Sequence, residues 1–90
     1  ITEITMNQHA KVKIAILRSL KRMPKTYTMR DEALRAEVCL DVQPRPTLLE
    51  LEDALTDLEQ SSCIIGTRNE LTGERKWMIT DAGILQLGQI

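Results

Sequence analysis

The chain has no phenylalanine, and Tyr27 and Trp77 are its whole aromatic complement. Proteins that hold single-stranded RNA or DNA stack successive bases on several aromatic rings, so single-stranded nucleic acid is not an expected partner. His9 is the lone histidine, and Cys39 and Cys63 are the two cysteines. These three side chains contain no CxxC pair and fall short of the four ligands of a structural zinc, so no metal or other cofactor is expected. Both thiols lie in apolar stretches, where an unpaired cysteine behaves as a small buried hydrophobe, and free thiols fit a reducing compartment. The four glycines are scattered, and none belongs to a loop that could cradle a phosphate. No apolar run approaches the roughly 20 residues of a membrane span, and no secretory leader pattern is evident. A cytoplasmic protein with no membrane partner is expected.

Charged residues make up 28% of the chain and apolar ones 42%, which suits a globular domain better than a disordered tail. Ninety residues allow one core, so residues 1–90 read as a single domain without internal repeats. The net charge is −1 but unevenly spread: residues 1–45 carry nine Lys/Arg against five Asp/Glu, and residues 46–90 carry three against eight. Such asymmetry bears on partners rather than on fold.

Apolar residues at spacings of three and four from Gln8 to Arg22 (Val12, Ile16, Leu17, Leu20, Met23) predict an amphipathic helix, with Lys11, Arg18 and Arg22 on its opposite face. Pro24 ends it, and Lys25 to Thr28 reads as an extended linker or short strand, with Thr28 placed to cap the next helix. That second helix is expected from about Arg30 to Leu40, with Ala33, Leu34, Val38 and Cys39 facing inward and Asp31 and Glu32 at its positive end. Asp41 to Arg45 forms the turn. Pro46 suits the first position of a third helix, in which Leu48, Leu51, Ala54, Leu55 and Leu58 share the core arc. Leu49 falls on the opposite arc among Glu50, Asp53, Thr56 and Asp57. Ser61-Ser62 ends that helix. Cys63 to Arg68 predicts a strand, Asn69 to Gly73 a hairpin turn, and Glu74 to Ile79 the returning strand, with Trp77 and Ile79 pointing one way. Thr80 can cap a last helix from Asp81 to about Leu87, whose Ile84, Leu85 and Leu87 would close the core.

Two motifs carry a resemblance. Ala54-Leu55 to Leu58-Glu59, followed by Cys63-Ile64-Ile65, resembles the end of the recognition helix and the first wing strand of winged-helix transcription regulators. Trp77-Met78-Ile79-Thr80-Asp81-Ala82-Gly83 is similar to their second wing strand and the helix after it. The resemblance extends loosely from Lys11 to Leu87. It implies an α+β, mostly α, winged helix-turn-helix fold: a three-helix core, a two-stranded β-wing and a C-terminal helix. It also implies a left-handed backbone at Ser62, where the family often has glycine. In that family the outward residues near the start of helix three enter the major groove of DNA, which here implies Thr47, Leu49, Glu50, Asp53 and Thr56.

This chain departs from the family at that surface. Helix three carries Glu50, Glu52, Asp53, Asp57 and Glu59, with no Lys or Arg between Pro46 and Ser62. Nonspecific affinity for DNA comes largely from Lys and Arg displacing counterions, and a carboxylate reads a base only after other groups have secured the backbone. Double-stranded DNA is therefore expected to meet the wing (Arg68, Arg75, Lys76) and helix one (Lys11, Arg18, Arg22). Leu49, Glu50, Asp53 and Asp57 are left as a protein interface, with Val42 as an apolar neighbour for Leu49. The rival expectation is a protein-interaction or dimerisation module that does not touch DNA; a face that serves only solubility is the plainer alternative. No catalytic role is expected. His9 lies near the chain start, Ser61 and Ser62 have no base beside them, and the carboxylates share an exposed face, whereas a general acid needs burial or a close like charge in a cleft.

Overall fold

Three helices, a hairpin and a closing helix succeed one another in the computed structural model, which describes residues 8–23 and 28–89. In chain order the elements are α1 (Gln8–Lys21), β1 (Met29–Arg30), α2 (Asp31–Asp41), α3 (Leu48–Gln60), β2 (Ile64–Arg68), β3 (Arg75–Ile79) and α4 (Asp81–Gly88). Among the described residues the arrangement is mostly helical α+β, with four helices and a three-stranded antiparallel sheet of order β1-β3-β2. The expected hairpin is present, and β1 adds a third strand to it.

The apolar stripe of α1 makes it the hub, packed against α2, α3, α4 and β3. Val12, Ile16, Leu17 and Leu20 are buried as the periodicity requires, and Met23 packs at the edge of the core. The expected stop at Pro24 and the linker through Tyr27 lie outside the described residues.

Thr28 does not cap α2; Arg30 occupies that position, with extended φ/ψ of −64° and 144° and no side-chain cap bond. The chain stays extended to Arg30 because Met29 is buried and pairs with Trp77 across the sheet. On α2, Leu34 and Val38 are buried and Cys39 is partly so, but Ala33 is exposed. Val42 is 4% exposed and donates its backbone N–H to Val38 O. It belongs to the core, and the surface patch expected of Val42 with Leu49 does not form.

Helix α3 starts later than its proline suggested. Pro46 is buried ahead of the cap, and Thr47 is the N-cap of a reciprocal capping box. Glu50 N donates to Thr47 Oγ1 at 3.1 Å, and Thr47 N donates to Glu50 Oε1 at 3.0 Å. The Thr47-x-x-Glu50 spacing is the sequence signature of this box. Leu51, Ala54, Leu55 and Leu58 fill the core. Leu48, expected with them, is 64% exposed, because it stands at the edge of the apolar arc in the first turn and lines an open groove beside α2.

The helix closes through Cys63 N donating to Leu58 O at 2.9 Å and Ser62 N to Glu59 O at 3.1 Å. Ser62 takes φ 63°, the left-handed position that the resemblance implied. Its carbonyl and that of Cys63 accept from Thr80 Oγ1 at 2.6 and 3.0 Å, and Thr80 Oγ1 in turn caps α4 by accepting from Gly83 N at 3.1 Å. A Cβ at Gly83 would lie 2.3 Å from the Cys63 carbonyl oxygen, so α4 docks by its glycine. That docking sets the rotation of α4. Leu87, one turn on, packs against the core, Ile84 is half-buried, and Leu85, on the far side, is 65% exposed instead of inward.

In the sheet Trp77 pairs with Gly66 on one side and Met29 on the other, and it is buried. A Cβ on Gly66 would stand 2.6 Å from Trp77 Cζ3, so the indole occupies space that only glycine leaves open. Asn69 accepts from Leu71 N at 2.9 Å through its side chain and from Gly73 N at 2.7 Å through its carbonyl, with Gly73 at φ 73°. These bonds fold the tip of the hairpin.

Candidate functional site

Alternation along β3 puts Arg75 on the side of the strand that Trp77 occupies, facing α2 and α3. Arg75 Nη2 lies 2.6 Å from Glu52 Oε1 and 3.4 Å from Asp31 Oδ1, and the guanidinium sits 5.3 Å from the centre of the Trp77 ring. Trp77 Nε1 donates to Asp31 Oδ1 at 2.9 Å. Arg35 completes the group, with Nε 2.7 Å from Asp31 Oδ2 and Nη2 bonded to Glu52 Oε1. Two carboxylates and two guanidiniums from α2, α3 and β3 thus balance in one half-buried cluster. The hydrogen bond from Arg75 holds Glu52 below its ordinary value of 4.5; burial opposes this, and the charges of Arg75 and Arg35 reinforce it. The bond to Glu52 likewise raises Arg75, against desolvation and with help from Asp31, Glu52 and Glu59.

In the sequence only the Asp31–Arg35 spacing of four along one helix hints at this cluster; the other partners meet through the fold. It also corrects the picture of five carboxylates sharing one exposed face, since Glu52 points to the hairpin and is neutralised there. Glu50 is engaged in the capping box. Asp57 Oδ2 contacts His9 Nε2 at 2.5 Å, which gives His9 an anchoring place against α3. The Asp53 side chain is exposed and makes no ion pair or hydrogen bond among the described residues, and Leu49 is 70% exposed. The outer side of α3 therefore carries less unbalanced charge than its composition suggests, yet no basic group.

The basic residues fall into two sets. Arg68 and Lys76 are exposed on the hairpin and make no ion pair among the described residues, whereas Arg75 is held by Glu52 and Asp31. Across the sheet Lys76 is level with Arg30, an exposed guanidinium 3.2 Å from Glu74; the pairing of β1 with β3 brings it there, and periodicity gave no sign of it. Lys11 and Arg18 of α1 and Arg22 just past its end are exposed and line one side of a groove of about 460 Å³ closed by Asp41, Val42 and Gln43. Arg22 Nη2 is 3.7 Å from Asp41 Oδ2, both side chains being largely solvated, so this pair is weak. Among the described residues no group of His, Cys, Asp and Glu could hold a metal, and no helix is long and apolar enough to cross a membrane.

No family model matches the sequence, and no curated protein matches it. Among solved structures, a Thermoplasma acidophilum protein described as a candidate transcriptional regulator is similar, with a TM-score of 0.70 and 18% identity over 90% of this chain and 75% of that one. At that identity the likeness concerns the fold alone.

Proposed function

We propose that residues 1–90 form one non-enzymatic winged-helix module of the regulator kind, cytoplasmic and without cofactor, that meets duplex DNA through its hairpin and α1 rather than through α3. The observation that carries this reading is the contrast along the hairpin. Arg68 and Lys76 face solvent with no ion pair among the described residues, Arg75 is held inside, and α3 offers no Lys or Arg at all. Phosphate contacts position a protein on DNA and dominate its affinity, so the exposed cations mark the surface best suited to the backbone. Lys11, Arg18 and Arg22 supply a second set. The outer residues of α3, Leu49, Glu50, Asp53 and Asp57, are left for protein.

A second reading, a protein-interaction or dimerisation module without DNA, is favoured by the 70% exposure of Leu49 beside Asp53. Titration of a labelled mixed-sequence duplex, followed by anisotropy at low and moderate salt, separates the two. Binding that falls steeply with salt and weakens in Arg68→Ala and Lys76→Ala supports the DNA role. Absence of binding at low salt overturns it, and together with a dimer that Leu49→Glu dissociates supports the interaction module.

A further inference from the structure

Beside α2 the surface turns apolar. Leu40 is 80% exposed and Leu48 64% exposed. Leu48 borders a groove of about 510 Å³ between α2 and the start of α3, walled by Ala36, Cys39, Pro46 and Leu51. Leu40 lies one helical turn beyond Ala36, on the same side of α2. Three charged residues line the groove: Glu32, Arg35 and Arg45. Arg35 is spent on Asp31 and Glu52, whereas Glu32 and Arg45 are exposed and make no ion pair among the described residues. Glu32 sits in the first turn of α2, and Arg45 lies beyond its last residue, Asp41, so the two charges mark opposite ends of one apolar trough.

We propose that this trough is the contact between two copies of the chain, related by a twofold axis with their α2 helices antiparallel. A twofold contact uses the same patch on both sides and must be complementary to itself. The trough meets that condition in charge, because Glu32 of each copy comes level with Arg45 of the other. It meets it in shape as well, because each Leu40 is brought against the exposed small residues Ala33 and Ala36 of its mate. A strongly basic or strongly acidic segment would set one end of the trough against a like charge, so a second copy fits better than a ligand of one sign. The hairpin takes no part in this contact.

Sedimentation velocity over a concentration series tests it. The chain is expected to form a dimer that Leu40→Glu and Leu48→Glu each weaken by about tenfold or more. Both positions are exposed, so the fold survives these changes, and circular dichroism checks that it does. Arg45→Glu alone weakens the dimer, and the exchanged pair Glu32→Arg with Arg45→Glu restores it. A chain that stays monomeric at every concentration overturns the proposal, as does a dimer indifferent to these substitutions, and failure of the exchanged pair to restore it overturns the antiparallel register. A monomer that still binds duplex DNA sinks this contact alone and leaves the function proposed above.

Discussion

Arg75 and Glu52 stand 2.6 Å apart, and through that pair the return strand of the hairpin is fastened to α3. Arg75 also lies over Trp77, whose indole N–H is bonded to Asp31 at the start of α2. One charge-balanced junction therefore joins the hairpin to both helices beside it. It withdraws one cation from the hairpin and fixes where the remaining two, Arg68 and Lys76, stand relative to α3.

Removing the acid at the centre of this junction should be costly. Glu52→Ala leaves Arg35 and Arg75 with Asp31 alone, and a charged hydrogen bond of this kind contributes roughly 1.5–3 kcal/mol. The Glu52 side chain is 37% exposed, so water screens part of the interaction, and a loss of about 1–2 kcal/mol is expected in urea unfolding. Combining it with Arg75→Ala should lose less than the two single changes together, by about 0.5 kcal/mol or more. Strict additivity would mean that the pair does not couple.

Acid should undo the same junction. Glu52 titrates below its ordinary 4.5 in the folded chain, so in that window the unfolded state binds more protons and stability rises with pH. The contribution is complete above about pH 4.5 and drains away as the pH falls through the folded value. Urea midpoints measured from pH 7 downward should fall more steeply for the native chain than for Glu52→Gln. Parallel curves would assign the acid sensitivity to other groups.

The order of the elements is legible because each helix and strand carries its own period: the α1 stripe, Leu51, Leu55 and Leu58 of α3 and the alternation around Trp77 stand where their spacing puts them. Boundaries and rotations are less so. Thr28 and Pro46 are reasonable local starts, but the burial of Met29 and the capping box of Thr47 move both helices onward. Leu48 and Leu85 belong to apolar runs and yet face solvent, because the neighbours that would cover them are decided by tertiary docking, as with Gly83 against Cys63. The basic candidates are visible by composition. What composition does not tell is that Arg75 is consumed by Glu52, 23 residues away.

Ser62 offers a stabilising change. It holds φ 63° at the end of α3, a region that costs a non-glycine residue about 1–2 kcal/mol. Its hydrogen bonds are made by its backbone, which donates to Glu59 O and accepts from Thr80 Oγ1, so loss of the side chain breaks none of them. Glycine gives back roughly 0.5–1 kcal/mol through its freer unfolded chain. Ser62→Gly should still gain about 0.5 kcal/mol, which for a chain of this size raises Tm by about 2–4 °C in a thermal melt. An unchanged or lower Tm would show that the left-handed serine carries no strain.

The contrast between Arg75 and its neighbours has a reading in salt. For duplex DNA the logarithm of the binding constant falls with the logarithm of salt at a slope of about −0.9 per phosphate neutralised. If Arg68 and Lys76 each meet a phosphate, replacing either by alanine should make that slope shallower by about 1, and replacing both by about 2. Arg75→Gln should leave it nearly unchanged, because the guanidinium is already bonded to Glu52 and Asp31 and exchanges carboxylate rather than counterion. The slopes are read from anisotropy titrations at several salt concentrations, on variants whose folding has been checked. Should Arg75→Gln flatten the slope as much as the other two, the junction must open on DNA and release its arginine to the backbone, and the division of the hairpin cations into held and exposed would fail.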